Sequence, residues 1–378
     1  SENAIKVCPF NPRPEEVVKD EDKLAGIFLS ETKFSNKQIG RYDNLYIGYS
    51  NEYRVTSSSG GIATYVFEEL LKSKIVEHLY IVKEVEGKYE YQLFSNVAEI
   101  KQISKTKYTP VTLEKLFVNI NNIEGKIAIS GVACFIKAIR LKQHYNPELK
   151  DKIPFLIGII CGGLKSNFFT DYLAQKAGIE KNYYKQDYRI KNPKSQAIDY
   201  SFGAFNDENQ FKQVRMQTIG DMWGTGMFKA NACDFCDDVT TELADISLGD
   251  AWIHPYTNDG LGTSVIVTRS KLADKIIQNG MKQKELVLDN LSIDKFLVSQ
   301  SGSFNHRHKG LEFRINNFKL KKLISPKRFL NQSVTSDFKI VQFFRLKTRR
   351  NSLEFWKKTK NAAEFDKQMK LSLFLLKT

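Results

Sequence analysis

The sequence predicts a mixed α/β fold: a central sheet with flanking helices, glycine-tipped strand ends forming a cofactor site, and a helical, basic C-terminal region. Three observations carry that expectation. Short apolar runs that read as strands alternate with segments of helical periodicity. Glycine stands at the tips of several of those runs, where α/β proteins place their sites. The positive charge is confined to one end of the chain. With 378 residues and a 42% hydrophobic share, the chain supports more than one packing unit and is too apolar for disorder.

In chain order, residues 1–45 read as a lead-in segment, in which Pro9, Pro12 and Pro14 precede a helix signal in EEVVKDEDKLAGIF. Residues 46–310 form the expected body. Its first strand spans Asn44 to Tyr53, and the loop Ser57-Ser58-Ser59-Gly60-Gly61 leads into a helix with apolar positions at Ile62, Val66, Leu70 and Leu71. A strand around Leu79 to Val82 completes that unit. KIAISGVACFIKAIRLKQH repeats the logic, with a strand from Lys126 to Ser130, a turn at Gly131 and a helix bearing Cys134 near its first turn. PFLIGIICGG is a buried strand ending at Cys161-Gly162-Gly163, and FTDYLAQKAG is the helix after it. Residues 181–230 are polar and mixed, as sheet and loop. Gly262-Thr263-Ser264, the strand VIVTR and the helix SKLADKIIQ close the body.

Residues 311–378 form the expected extension. They hold 17 Lys and Arg against 5 Asp and Glu, which is most of the net charge of +14. Phe355, Ala362, Met369 and Leu376 recur at every seventh position, which predicts one side of a helix. A basic tail with Phe, Trp and Leu interleaved suits packing on the body or peripheral contact with an anionic membrane surface. No nucleic-acid recognition motif accompanies it, so nucleic acid is not expected as a partner. No apolar stretch of about 18 residues and no signal-peptide pattern occurs, which leads to the expectation of a cytoplasmic protein, peripheral at most to the inner face of the membrane.

The chemistry-bearing residues are few. Five cysteines in a long chain with its own core do not form a secreted disulfide framework. Cys233 and Cys236 make a Cys-x-x-Cys hook, so both sulfurs reach one centre from a single turn. Cys134 and Cys161 lie singly beside glycines. Four such thiols can hold an iron–sulfur cluster or zinc, act as a redox dithiol, or stay as core cysteines. The Ser57–Gly61 loop suits a phosphate or flavin edge at a helix N-terminus, or is an N-cap serine with a glycine turn. Lys107-Tyr108 offers a cation beside a ring, or an ordinary polar loop. Asp245 and Asp250 make a carboxylate pair, although Asp250 reads more simply as tying down a turn near the hook. His254, His306 and His308 read as surface or packing histidines. No Ser-His-Asp or Cys-His arrangement is present, and no catalytic residue is identified.

Eight stretches in this order resemble the beta subunits of coenzyme F-420 hydrogenases and dehydrogenases: VCPF at Val7, SSSGGIAT at Ser57, TKYTP at Thr106, GVAC at Gly131, IICGG at Ile159, YRIK at Tyr188, CDFCDD…ELADISLGDAW at Cys233 and GTSVIVTR at Gly262. The resemblance runs from about Val7 to about Arg314. It implies an iron–sulfur flavoprotein oxidoreductase in which Cys134, Cys161, Cys233 and Cys236 hold one 4Fe–4S cluster. It also implies that Ser57, Ser58, Ser59, Gly60, Gly61, Lys107 and Tyr108 bind FAD, with Asp250 organising the surroundings. Ferredoxin or a reduced deazaflavin or flavin carrier is the implied electron donor, and a small molecule or glycan the substrate. Three departures stand out. The chain starts near the end of the ferredoxin-like module many members carry, which leaves Cys8 as an orphan ligand. Gly162 stands where deazaflavin-reducing members are expected to have histidine, and the basic tail lies beyond the match. Because members also occur in surface-polysaccharide gene sets, such biosynthesis is an expected setting. The competing expectation is a non-catalytic assembly module whose thiols bind zinc or nothing and whose tail docks a membrane or a biosynthetic complex.

Overall fold

The computed structural model describes residues 2–85, 87–318 and 321–377. A short hairpin, β1 (Phe34–Asn36) and β2 (Gly40–Tyr42), leads into the main sheet. That sheet contains β3 (Asn44–Ser50), β4 (His78–Val85), β5 (Lys88–Phe94), β6 (Ile127–Val132) and β7 (Phe155–Ile159). A separate antiparallel sheet is built from β8 (Tyr183–Lys191), β9 (Tyr200–Asn206) and β10 (Phe211–Arg215). The chain then returns to the main sheet with β11 (Ile246–Asp250), β12 (Ser264–Thr268) and β13 (Leu286–Asn290). The resulting order is β13-β3-β12-β11-β7-β6-β4-β5. The central strands β4, β6, β7 and β11 run parallel, and the flanking pairings are antiparallel.

Alternation sorts the core. Along β6 and β7, Ala128, Phe155 and Ile157 enter one face, whereas Ile127, Ile129 and Leu156 enter the other. The first face is covered by the helices Ile62–Lys72 and Lys271–Lys282, through Tyr65, Val66, Leu70, Ile276 and Ile277. The second is covered by Ala133–Tyr145 and Glu21–Phe28, through Ile136, Ile139, Leu24 and Ala25. Strands buried on both faces explain the near-continuous apolar reading of FLIGI.

Direction places the sites. Since β12 is antiparallel to both β3 and β11, β3 points the same way as β11, β7 and β6. The Ser57–Gly61 loop, Cys134, the Cys161-Gly162-Gly163 tip and Asp250 therefore all follow or end strands at one edge of the sheet, where ligands of open α/β sheets bind.

The C-terminal region differs from the heptad expectation. The chain forms two helices, Ser336–Thr359 and Ala362–Lys377, reversed at Lys360, which takes a left-handed φ of 46°. Phe355 thus lies on one helix, and Ala362, Met369 and Leu376 on the other. The repeat continues across the break because both helices bury onto one cluster. Trp356, Ala362, Phe365 and Met369 pack with Phe202 from the second sheet, Phe169 and Tyr172 from the helix Asn167–Lys176, and Phe228 from the segment before the hook. Among the described residues no helix is long and apolar enough to cross a membrane.

Candidate functional site

The hook is a single 3-10 turn, Asn231–Phe235, laid against the tip of β7. Ala230 N–H donates to Leu164 O at 2.9 Å, and Leu164 N–H donates to Cys233 Sγ at 3.2 Å. Gly163 N–H donates to Cys161 Sγ at 3.3 Å. Gly163 has a φ of 118° and a Cβ there would lie 2.7 Å from Lys229 Cδ, so the tip accepts only glycine where the hook docks. Cys134 enters from the first turn of its helix and lines a small cavity with Cys236, Pro9 and Phe10. The residues after Cys8 therefore border the same place.

The structure brings all four cysteines of the sequence reading into one neighbourhood. Burial, and then the sulfurs of Cys236, Cys161 and Cys233, push the Cys134 thiol well above its ordinary value. Burial raises Cys236 to about 12, and burial followed by Cys161 raises Cys233. All five cysteines are free of disulfides. Among the described residues no group of three or more His, Cys, Asp or Glu side chains stands close enough together to hold a metal ion as placed.

Arg307 stands at the centre of this neighbourhood. It is 3% exposed, and one terminal nitrogen donates to Asp238 O at 2.7 Å and lies 3.6 Å from Cys236 Sγ. Burial opposes its charge, but the sulfurs of Cys236, Cys161 and Cys233 outweigh that and raise its pKa. Among the described residues it forms no ion pair with a carboxylate. A buried guanidinium needs compensating negative charge, and sulfur is what faces this one. The neighbourhood thus gathers four soft sulfurs, with backbone N–H groups aimed at two of them and a buried cation beside Cys236, which is donor chemistry of the kind metal centres use.

The Ser57–Gly61 loop lies along the same edge, but its hydroxyls are largely spent within the chain. Ser57 Oγ lies 3.3 Å from Thr64 Oγ1, Ser58 Oγ accepts from Thr106 N–H at 3.0 Å, and Ser59 Oγ donates to Thr263 O at 3.1 Å. The helix N-cap is Gly61 in a left-handed conformation, not a serine. Gly60 is required by close approach, since a Cβ would lie 2.6 Å from Gly48 O. What gathers here is cationic charge. Lys191 Nζ donates to Ser59 O at 2.7 Å and also bonds Arg54 O. Burial, with Lys105, Arg189 and Arg54 nearby, lowers Lys191 to about 7. Lys107 Nζ sits 4.6 Å from the centre of the Tyr89 ring, and burial lowers it too. Arg54, Lys105 and Arg189 have carboxylate partners in Asp259, Asp187 and Asp250. Among the described residues Lys191 and Lys107 are the cations here without one, and their lowered values suit an anion.

Tyr108 is partly buried against Trp223, Tyr188 and Phe169, with ring centres 4.8, 5.4 and 6.4 Å away. Trp223 in turn covers the β7 tip, and a Cβ at Gly162 would lie 3.2 Å from its ring. The indole thus spans between the thiol neighbourhood and the Lys107-Tyr108 segment.

Asp250 is placed differently from expectation. Its carboxylate accepts from Arg189 at 2.6 Å, so it organises the cationic side and not the hook. Asp245 accepts from Arg140 and from Leu156 N–H at 3.0 and 2.9 Å, which ties it into the core and away from any acid–base pair with Asp250. His254 is exposed, and His308 stacks on Phe329 at 3.5 Å. His306 is more than a packing residue: it accepts from Lys229 Nζ at 2.8 Å and lies 3.7 Å from Asp234, inside the hook. Arg307 was not found from sequence, because it carries no spacing signal; Arg189 and Lys191 stand in the YRIK stretch but were given no role there. Only the sheet topology brings them to this edge.

Sequence-family profiles for the coenzyme F420 hydrogenase/dehydrogenase beta subunit match residues 45–117 (N-terminal part) and 124–293 (C-terminal part). The coenzyme F420 hydrogenase subunit beta of Methanothermobacter thermautotrophicus is 24% identical over 65% of this chain and 83% of its own. A subunit of the F(420)H(2) dehydrogenase of Methanosarcina mazei is 23% identical over 57% of this chain, which spans 60% of that relative's length. A chain of the F420-reducing NiFe hydrogenase complex from Methanosarcina barkeri superposes with a TM-score of 0.57 at 18% identity, covering 78% of this chain and 99% of that one, a likeness of fold.

Proposed function

The chain belongs to the family of coenzyme F420 hydrogenase/dehydrogenase beta subunits, and from that premise we propose that it is an iron–sulfur flavoprotein oxidoreductase. Cys134, Cys161, Cys233 and Cys236 hold a 4Fe–4S cluster, and the cations around the Ser57–Gly61 loop hold the phosphates of FAD. When bound, the two groups supply one-electron storage and hydride or electron exchange with an external carrier or substrate. The observation that carries this reading is the buried guanidinium of Arg307 facing sulfurs. Burial holds Cys134, Cys233 and Cys236 toward the neutral thiol, which leaves that charge uncompensated. A bound metal would keep the sulfurs as thiolates.

The chain's own residues then have separable roles. Gly163 and Leu164 stabilise thiolates through their N–H groups, and Arg307 balances their charge. Lys191, Lys107 and Lys105 attract the flavin phosphates, with Arg189 set by Asp250. Trp223 and Tyr108 keep water from the short path between the two places.

An external carrier of ferredoxin, flavin or deazaflavin type is the proposed donor; the Trp223 ring beside Gly162 disfavours the last, since it fills the space a side chain at 162 needs. The hairpin end adds a location. Ile340, Val341, Phe343, Leu371 and Phe374 are exposed there, among Lys339, Lys347, Arg350, Lys367 and Lys370. No Asp or Glu occurs between Lys339 and Arg350 or after Lys367. Apolar side chains set among mainly cationic neighbours, with Asp337 the acidic residue one turn before Ile340 and Val341, fit an anionic lipid surface, which favours a lipid-linked glycan as substrate.

The test is anaerobic metal and flavin analysis of freshly prepared protein. Iron, sulfide and FAD together support the reading. Stoichiometric zinc in a colourless protein replaces it with the assembly module.

A further inference from the structure

We propose that the C-terminal extension clamps the hook, with Arg349 as its positioning residue. The family match ends at residue 293, yet the hook is tied mainly by residues that follow. Asp234, between the two hook cysteines, is 2% exposed. Its Oδ1 pairs with Lys229 Nζ at 2.6 Å, and its Oδ2 with Arg349 Nε at 2.5 Å, a charge contact off the hydrogen-bond axis. Arg349 also donates to Asn231 Oδ1 at 2.9 Å. Arg314 donates from Nε to Asp234 O at 2.8 Å and from a terminal nitrogen to Gln342 Oε1 at 2.7 Å. Ser352 Oγ accepts from Phe228 N–H at 2.8 Å.

The Ser336–Thr359 helix therefore grips the chain at residues 228, 231 and 234, immediately before and inside the hook. The helix is itself anchored. Trp356 and Phe365 pack edge-on against each other and on Tyr172 and Phe228, while Asp366 takes Tyr172 Oη and Lys176 Nζ at 2.8 Å each. A one-turn hook has few hydrogen bonds of its own, Cys233 N–H to Ala230 O at 3.2 Å among them. Its position is imposed from outside. In this chain the extension supplies much of the wall that holds two of the four thiols in place.

The clamp's use in catalysis rests on the four-thiol reading above, but its test does not. The full chain, freed of metal with a chelator under reductant, is alkylated with iodoacetamide, and each cysteine is followed by peptide mass spectrometry. Arg349→Gln is expected to speed alkylation of Cys233 and Cys236 about ten-fold, because reactivity tracks local opening. Arg349→Lys, which keeps the charge, and Lys358→Ala, an exposed change on the same helix, stay near the parent, and Cys8 is unchanged in all. If Arg349→Gln does not fold, Asp234→Asn is read the same way from the other partner. Hook rates within about two-fold of the parent, or equal acceleration at Cys8, would overturn the proposal. Absence of metal from the native protein would leave this result standing and remove only the cluster.

Discussion

The thiol neighbourhood and the Ser57–Gly61 loop lie on one sheet edge, and both are marked by short glycine-flanked motifs, but they differ in what they have left to offer. At the thiols the sulfurs meet only backbone groups at Gly163, Leu164 and Asp238 and the Arg307 guanidinium, all at 3.2 Å or more, and the cation beside them faces sulfur. At the loop the motif residues are spent. Three serine oxygens bond Thr64, Thr106 and Thr263, and the glycines serve close packing and a left-handed turn. The binding capacity there belongs to Lys191, Lys107 and Arg189, none of which the motif contains. A motif thus marks where the chain must bend, while ligand capacity is read from the polar atoms that folding leaves over.

That contrast predicts unequal losses. Cys233→Ser or Cys236→Ser is expected to abolish metal content, the largest effect, measured as iron per chain under anaerobic conditions. Ser59→Ala is expected to leave iron intact and to weaken FAD only slightly. Equal loss of iron in both would break the distinction.

Gly60→Ala tests the loop as architecture. Its methyl group would meet Gly48 O at 2.6 Å, so destabilisation of about 1–3 kcal/mol is expected in urea unfolding. Ser58→Ala, which removes one acceptor from Thr106 N–H, is expected to cost about 1 kcal/mol.

Lys191 sharpens the cationic side. Its folded value near 7 lies below its ordinary 10.5, first through burial. Between those values the unfolded chain binds more protons than the folded one, so this group's contribution to stability rises with pH above about 7. An anion reverses the preference by favouring the charged form. FAD affinity is therefore expected to fall as pH rises from 6 to 9, with proton uptake on binding. Lys191→Met is expected to weaken FAD and to flatten that dependence; a parent whose affinity is flat with pH would remove Lys191 from the site.

The smallest effect on the fold is expected at the hairpin end. Phe343→Ser with Phe374→Ser should change stability by less than about 0.5 kcal/mol yet abolish flotation with phosphatidylglycerol vesicles. Equal binding of the parent to phosphatidylcholine vesicles, or none to either, would detach this surface from membranes.

The fold was largely legible because strand, glycine tip and helix recur locally, as in Lys126 to His144 and in PFLIGIICGG. Cys134 and Cys161 were legible for the same reason: parallel neighbours end together. The break at Lys360 was hidden, since neither glycine nor proline marks it and both helices bury onto one cluster. Asp250 was misplaced because sequence shows its nearness to the hook along the chain, whereas Arg189 reaches it from another sheet. Arg307 was given no role in the body, and Arg314 and Arg349 were read only as parts of a basic tail that packs on the body or meets a membrane. Their burial around the hook depends on long-range packing that no spacing encodes.

The central claim is that four half-buried thiols work as thiolates on iron. Anaerobic preparation followed by iron and acid-labile sulfide analysis, with the absorbance near ~400 nm followed on reduction, tests it most directly. The account predicts about four iron and four sulfide per chain and bleaching by dithionite, both lost in Cys134→Ser. A protein that carries zinc, or no metal at all, after anaerobic reconstitution would contradict it.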